Sequence, residues 1–376
     1  MRALFACGGT AGHINPALAV ARNLQKTDAS AAILFAGATG GMETELVPRE
    51  GFSIQTVTVD RLRHALTPAA LLHNLRVLRQ MPASLREAKA IIENFCPDVV
   101  VGMGGYASYP FVRRADTMDI PTAIHESNAV PGFTTRLLAR HVDQVMVSFE
   151  DSAAQYKQAR KIAVTGTPVR GALFEQNRQE ARRSLGVDDR PLVVSFFGSL
   201  GARDMNTAML DYLPLCAKEG RFAHIHAAGK NRYEDFIRRA RDKNLCALTH
   251  IQIQDYIFDM PKILTAADLV ITRAGASTLA EICALQKPAI LVPSPNVAGN
   301  HQDKNARMLE RHGAAMVIPE AHCTGETLYK AVVSLLENQA ALSHMRHALG
   351  QLSTLDSTDK ITQILRDLSQ NKPTSR

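Results

Sequence analysis

The sequence predicts an α/β protein made of two domains, each with a parallel sheet. Short apolar runs typical of buried parallel strands alternate with helical stretches along most of the 376 residues. The succession of a strand, a glycine loop and a helix opens the chain and starts again at Pro191. Two such sheets that face one another make a cleft, in which a ligand can be shared between loops at the carboxyl ends of strands.

Composition is that of an ordinary soluble protein, with 46% hydrophobic and 21% charged residues. The cysteines are scattered without a C-x-x-C pair, which favours reduced thiols in the cytosol. No apolar run approaches the roughly 18 residues of a membrane span, and the N-terminus becomes glycine-rich too soon for a signal peptide. We therefore expect a cytoplasmic protein. The formal charge of +7 allows attraction to phosphorylated ligands, anionic lipid or nucleic acid without choosing among them.

The first domain opens with a strand over residues 3–7 and a glycine loop over residues 8–13. We expect the next helix to have Asn15 as its N-cap and Pro16 in its first position. The loop is not a dinucleotide fingerprint, since it lacks G-x-G-x-x-G and the next strand ends without an acidic residue. Further strands are predicted over residues 53–59, 98–103, 122–126, 144–148 and 161–166.

Polar and glycine-rich clusters follow three of these strands: GGTAGH at 8–13, GGYASYP at 104–110 and HESNAVPG at 125–132. The carboxyl ends of parallel strands meet at one edge of a sheet. The clusters therefore predict a single site.

The stretch from Arg61 to Lys89 is basic and rich in leucine. Leu71, Leu75 and Leu78 recur at helical spacing, with Leu66, Leu72 and Val77 beside them. A helix of this kind can lie on an anionic membrane surface. The alternative is a core-facing helix with a solvated basic face.

The second domain follows a polar linker and helix that reach about residue 190. Strands are predicted over residues 191–198, 222–229, 247–254, 267–272 and 288–294. Gln302 and Asn305 lie one turn apart on a later helix and can face the same cleft. The tail from Gly325 reads as three helical stretches.

The segment RAGASTLAE at 273–281 joins a buried strand to a helix, with Ser277 or Thr278 expected near the N-cap. Its small residues and the helix N-terminus suit a diphosphate, and Glu281 suits the hydroxyls of a ribose. The alternative is an ordinary turn with a solvated Glu281.

The chain resembles the MurG family of bacterial peptidoglycan glycosyltransferases. The resemblance rests on blocks in the family's order and runs from residue 1 to about residue 320; the blocks are GGTAGHINPALAVA, GMGGYASYP, IHESNAVPGFTTRLLAR, GTPVR, FGSLGAR, ADLVITRAGASTLAE and NHQDKNA. It implies a GT-B architecture, with two Rossmann-like parallel α/β domains facing across a cleft. An acceptor and membrane-facing domain would span residues 1–168 and a donor domain residues 169–345, with a helix in 346–376 packing back on the first domain.

The resemblance also implies the reaction. N-acetylglucosamine (GlcNAc) would move from UDP-GlcNAc to the 4-hydroxyl of the muramyl sugar of lipid I, undecaprenyl-pyrophosphoryl-MurNAc-pentapeptide, giving lipid II and UDP. The enzyme would be peripheral on the cytoplasmic face of the bacterial plasma membrane and work with other cell-wall synthesis proteins. No nucleic acid and no tightly bound cofactor or metal is implied, although Mg²⁺ from solution can accompany the diphosphate.

Site residues carried over from the family fall into three groups. His13 and Glu126 are candidates for the catalytic base. Thr10, His13, Tyr106, Glu126 and Asn128 are assigned to the acceptor. The donor is assigned to Thr10, Ala11, Gly12, Asn128, Arg170, Ser199, Ile257, Ala276, Ser277, Thr278, Leu279, Glu281 and Gln302.

His13 can act as the base because imidazole titrates near neutrality. It could instead only hydrogen-bond the acceptor or a phosphate, and Glu126 competes for the role of base. Tyr106 could simply cover a strand end.

The chain departs from the family's usual motifs at Ala11, Tyr109, Ser127, Thr167 and Leu200. Leu200 lacks an amide that could help hold phosphate or sugar. Three rivals stay open: a glycolipid transferase, a UDP-GlcNAc 2-epimerase, and a degenerate nucleotide-sugar-binding protein.

Overall fold

The computed structural model describes residues 1–63, 67–169 and 171–370. Contacts divide the chain into two compact units. Unit 1 comprises Met1–Arg170 and Thr354–Arg376, and unit 2 comprises Gly171–Ser353. Each unit is an α/β domain with one parallel sheet, which confirms the predicted fold class.

Unit 1 contains a parallel sheet with helices on both faces. Its strands are β1 (Arg2–Ala6), β2 (Ala32–Ala38), β3 (Ile54–Val57), β4 (Val99–Gly102), β5 (Thr122–Glu126), β6 (Gln144–Val147) and β7 (Ile162–Val164). Its first helices are α1 (Ala11–Thr27), α2 (Glu43–Arg49), α3 (Pro68–Phe95), α4 (Ser108–Asp116), α5 (Phe133–Leu138) and α6 (Glu150–Ala153). The strand order is β3-β2-β1-β4-β5-β6-β7.

Both faces of this sheet are buried, because successive side chains of a strand point to opposite faces. Phe5 of β1 packs in one apolar cluster with Ile14 of α1, while Leu4 packs in another with Ile92 of α3. This explains why β1 and β4 read as continuous apolar runs.

Helix α3 has a clear start and end. Thr67 caps it by accepting from Ala70 N at 3.2 Å, with Pro68 at the first position. It ends at Phe95, where Cys96 takes up a left-handed conformation (φ 47°). Its inward stripe includes Val77 and Ile92, so Val77 belongs to the core. Leu66 lies outside the described residues.

Unit 2 repeats this plan. Its strands are β8 (Leu192–Phe196), β9 (Ala223–Ala227), β10 (Ile251–Gln254), β11 (Leu269–Thr272), β12 (Ala289–Leu291) and β13 (Met316–Val317), paired in the order β10-β9-β8-β11-β12-β13. Its helices are α7 (Arg178–Ser184), α8 (Arg203–Glu219), α9 (Tyr233–Asp242), α10 (Met260–Ala266), α11 (Ala276–Ala284), α12 (His301–Arg311), α13 (Gly325–Glu337) and α14 (Gln339–Leu352). Short 3₁₀ turns lie at Gly171–Phe174, Leu245–Ala247, Ala298–Asn300 and Glu320–His322.

The last helix, α15 (Ser357–Gln370), belongs to unit 1. Its Ile361 and Leu365 are buried in the same apolar cluster as Ile14 of α1. Asn23 of α1 donates to Asp359 at 2.9 Å. The C-terminal helix therefore completes one face of the first sheet.

Candidate active site

The strand order places a switch point in each sheet. In unit 1 the order reverses between β1 and β4, and in unit 2 it reverses between β8 and β11. Ligands of such sheets bind beyond the carboxyl ends of the strands at that point. The glycine loops at 8–10 and 104–105 follow β1 and β4, and the segments at 198–201 and 273–275 follow β8 and β11. These four segments lie at the two switch points, whereas the predicted cluster at 125–132 follows β5, the neighbour of β4.

The first glycine loop holds His13 in the opening turn of α1. The helix begins at Ala11 with Thr10 as its N-cap, so the predicted start at Asn15 and Pro16 is wrong. Residues 11–14 continue directly into the helix, as Ile14 N bonds Thr10 O at 3.3 Å. Pro16 lies inside the helix, where it lacks only the bond to the carbonyl of residue 12. His13 Nδ1 lies 3.0 Å from Gly8 O and 3.4 Å from Thr10 Oγ1.

The loop after β4 packs directly on the first. A Cβ at Gly104 would lie 2.5 Å from His13 Cδ2, and one at Gly105 would lie 2.1 Å from Gly8 O. Both glycines also have positive φ, so no other residue fits. Tyr106 lies beside Gly9, and burial, followed by the charge of Glu43, raises its pKa. The structure therefore brings Thr10, His13 and Tyr106 together.

Glu126 ends β5, the neighbour of β4, and its carboxylate organises the loop that follows. Oε1 accepts from Asn128 N at 3.0 Å and from Asn128 Nδ2 at 2.8 Å, and Oε2 accepts from Gly132 N at 2.9 Å. The residue is buried, with 4% of its surface exposed. These bonds give Glu126 a structural task that the sequence did not reveal.

The neighbouring His125 is fully buried, and its Nε2 bonds Gly166 O at 2.9 Å. Burial lowers the pKa of His125. Its imidazole ties β5 to the segment after β7.

Sequence reasoning missed Glu43, a carboxylate buried at the carboxyl ends of β1 and β2. It accepts from Gly9 N at 3.1 Å and from Ala38 N at 2.8 Å. In the sequence it is one acid in the first turn of a short helix, 34 residues beyond Gly9. The glycines at 37, 40 and 41 before it were the available signal.

In unit 2 the segment after β11 is anchored from three sides. Arg273 pairs with Glu320 at 2.5 Å and bonds Val292 O at 3.0 Å. Asn305 of α12 is buried and donates to Ala274 O at 3.1 Å. These contacts hold the backbone where α11 begins.

Helix α11 begins at Ala276, and its N-cap is Gly275. Ser277 and Thr278, which were expected near the N-cap, lie two and three residues after it in the first turn of the helix. The first N–H groups of a helix have no partner within it, and Gly275 has no side chain to supply one. A helix N-terminus of this kind, with no side chain at its N-cap, suits an anion that approaches the backbone closely.

Other predicted donor residues lie around the same end of the sheet. Glu281 is half-buried on α11, and Gln302 of α12 accepts from Ser294 N at 2.9 Å through Oε1. Ile257 is buried after β10, beside the exposed Phe258. Ser199 lies in the turn after β8, where its carbonyl accepts from Lys230 N at 3.1 Å.

The remaining residues that were predicted to bind the donor lie in different surroundings. Leu279 is fully buried, and its N–H bonds Gly275 O at 3.0 Å. Ala11 and Gly12 form the first two positions of α1, with Ala11 half-buried. Arg170 lies outside the described residues. Within the described residues, no group of three His, Cys, Asp or Glu side chains could hold a metal ion.

Two known glycosyltransferase domain families match the sequence of this chain. Residues 3–147 match the glycosyltransferase family 28 N-terminal domain, and residues 192–361 match the family 28 C-terminal domain. The class of protein is therefore a family 28 glycosyltransferase.

Full-length relatives narrow this class. The chain is 41% identical to the UDP-N-acetylglucosamine–N-acetylmuramyl-(pentapeptide) pyrophosphoryl-undecaprenol N-acetylglucosamine transferase of Thermoanaerobacter sp. (strain X514), covering 98% of this chain and 100% of that one. The enzyme of that name from Acetivibrio thermocellus is 38% identical, with 99% of each chain covered. The crystal structure of Acinetobacter baumannii MurG superposes with a TM-score of 0.75 at 26% identity, over 97% of this chain and 99% of that one. The chain belongs to the MurG family, as its motifs predicted.

Proposed function

We propose that this protein transfers GlcNAc from UDP-GlcNAc to the 4-hydroxyl of the MurNAc sugar of lipid I, giving lipid II and UDP. The observation that carries the proposal is full-length similarity at 41% and 38% identity to transferases whose names state this donor and acceptor. Because the sequence identity extends over both domains, it favours this reaction over those of an epimerase or a glycolipid transferase.

The donor is proposed to bind unit 2. The amides that open α11 suit its diphosphate, since they combine unpaired N–H groups with the positive end of the helix dipole. Glu281, one turn into that helix, is proposed to accept from the ribose hydroxyls. Gln302, Ile257 and Ser199 surround the same sheet edge and are proposed to contact the sugar, the uracil and the diphosphate, respectively.

The acceptor is proposed to bind unit 1, with His13 as the base. A carbonyl can only accept, so the bond from Nδ1 to Gly8 O places a hydrogen on Nδ1. Nε2 is then the nitrogen able to take the proton of the attacking hydroxyl. Glu126 fits this role less well, because both of its oxygens accept bonds within their own loop.

The membrane is proposed to meet α3. Leu71, Leu72, Leu75 and Leu78 are 72%, 65%, 46% and 59% exposed, and Arg76 and Arg79 are exposed among them. Apolar side chains flanked by cations suit an anionic bilayer surface, where a lipid-linked acceptor is found. No helix in the described part of the chain combines the length and apolar character needed to cross a membrane. We therefore propose peripheral attachment at the cytoplasmic face.

An assay of UDP release with and without a lipid I analogue tests the proposal. The transferase releases UDP from UDP-GlcNAc only when the acceptor is present and forms a disaccharide product. Consumption of UDP-GlcNAc without acceptor would indicate an epimerase or hydrolase. Binding without turnover would indicate a nucleotide-sugar-binding protein.

A further inference from the structure

The carboxylate of Glu43 is enclosed beside the glycine loop of unit 1. None of its surface is exposed. Oε1 accepts from Ala38 N at 2.8 Å, and Oε2 accepts from Gly9 N at 3.1 Å. Both carboxyl oxygens therefore act as hydrogen-bond acceptors, each for a backbone amide at the end of a different strand.

Glycines form the wall around this carboxylate. A Cβ at Gly8 would lie 2.3 Å from Glu43 Oε1, one at Gly37 would lie 2.5 Å from Cγ, and one at Gly41 would lie 2.4 Å from Oε1. Any larger residue at these positions would displace the carboxylate or the backbone. The close fit fixes Glu43 in one place.

A single peptide group joins Glu43 to His13. The N–H of the Gly8–Gly9 peptide donates to Glu43 Oε2, and the C=O of the same peptide accepts from His13 Nδ1 at 3.0 Å. Hydrogen bonds at the two ends of a peptide polarise one another. Gly105 lies against that carbonyl, so the peptide has little room to turn.

We propose that Glu43 is a positioning residue for His13. By holding the Gly8–Gly9 peptide it aims the carbonyl that binds His13 Nδ1–H, and so keeps Nε2 as the proton-accepting nitrogen. In other catalytic sites a carboxylate bonded directly to a histidine fixes the tautomer and orientation of its imidazole. Glu43 has the same effect on His13 through one intervening peptide group. The kinetic consequence rests on the proposed function, whereas the tautomer does not.

The tautomer of His13 can be measured in the full-length protein. Long-range ¹H–¹⁵N correlation spectra of histidine-labelled protein at pH 8 distinguish Nδ1–H from Nε2–H, and the His13 signals are those missing from His13→Gln. We expect Nδ1–H in the wild type. An Nε2–H tautomer in the wild type would overturn the proposal without any further variant.

Glu43→Gln tests the role of the carboxylate. A glutamine must turn its NH₂ towards either Ala38 N–H or Gly9 N–H, so one of the two bonds is lost. We expect His13 to shift towards Nε2–H and kcat to fall roughly 10- to 100-fold, with the KM for UDP-GlcNAc within about 2-fold of wild type. Glu45→Gln is the matched control, since Glu45 lies exposed on the same helix in a pair with Arg49.

A folded Glu43→Gln protein with the wild-type tautomer and kcat contradicts the proposal. If that variant does not fold, Glu43→Asp gives the same readout, because it is one carbon too short to reach both amides. Should the wild type itself transfer no GlcNAc, the proposed function fails, and the tautomer of the Glu43 variants still decides whether Glu43 positions His13.

Discussion

His13 is the residue on which the proposed chemistry of unit 1 depends. If it is the base, His13→Ala should lower kcat by about 10²–10⁴-fold while changing the KM for either substrate little. Steady-state kinetics with UDP-GlcNAc and a lipid I analogue measure this. His347→Ala, at an exposed histidine of α14, is the control. A change confined to KM would remove the role of base and leave His13 as a binding residue.

Glu281 makes the corresponding test of the donor site in unit 2. Removing a hydrogen bond between Glu281 and a ribose hydroxyl would weaken donor binding by roughly 1.5–3 kcal/mol, the range for a hydrogen bond to a charged group. Glu281→Ala should therefore raise the KM for UDP-GlcNAc by about tenfold or more. Glu234→Ala, at an exposed acid in the first turn of α9, is the control. An unchanged donor KM would exclude Glu281 from the ribose.

Single residues show what the sequence could predict of the site and what it could not. His13, Tyr106 and Glu126 could be predicted as site residues because they stand within motifs at strand ends. Glu43 could not, because its contacts with Gly9 and Ala38 arise only once β1 and β2 pair. The bonds that Glu126 makes within its loop were likewise invisible in a linear motif.

At the scale of elements, the exposed leucines of α3 carry the proposal of membrane attachment. Replacing Leu71, Leu75 and Leu78 by serine should release the protein from anionic vesicles, since apolar area that the bilayer would bury is lost. Activity on a short-chain soluble acceptor should persist. Vesicle co-sedimentation measures the effect, with Leu355→Ser as a control at an equally exposed leucine. Continued vesicle binding by the triple variant would refute this placement.

Strands β8 and β9 bury a chain of polar side chains in unit 2. Ser195 Oγ lies 2.8 Å from His224 Nε2 and 2.8 Å from His226 Nδ1, and Tyr212 OH lies 3.3 Å from His224 Nδ1. Burial lowers the pKa of His226 to about 3 and that of His224 well below its usual value. The core of unit 2 therefore holds two neutral histidines.

Because these two histidines are buried in their neutral form, we expect unit 2 to lose stability in acid. In the unfolded protein a histidine has a pKa near 6.5, so below that pH the unfolded protein binds protons that the folded core does not. The free energy of unfolding is therefore highest above about pH 6.5 and falls as the pH drops. For His226 alone the loss is about 2 kcal/mol at pH 5. Hydrogen exchange of β8 and β9 amides should rise between pH 7 and pH 5, after correction for intrinsic rates, and rise less in His226→Phe. An equal rise in both proteins would contradict this.

Element boundaries were predicted less well than element types. The start of α1 was placed at Pro16 because proline favours first positions, whereas the short loop after β1 already turns helical at Ala11. Helix α11 begins at Ala276 with Gly275 as its N-cap, so Ser277 and Thr278 lie in its first turn. The two-residue strand β13 was missed because its pairing with β12 leaves almost no pattern in the sequence.

At the scale of the whole molecule, the chain builds the same switch-point sheet twice. Apolar runs predicted both sheets, since strands buried on both faces leave a continuous signal. The strand order could not be predicted from the sequence, because pairings such as β1 with β4 and β8 with β11 join segments that are distant along the chain. That order is what brings each pair of glycine loops together.

We propose that the nucleotide of UDP-GlcNAc is held in unit 2 by the amides of α11 and by Glu281. A crystal structure of the protein with UDP tests it most directly. We predict the diphosphate within hydrogen-bond distance of the amides at 276–278 and the ribose hydroxyls on Glu281. Uridine bound in any other place would contradict the account.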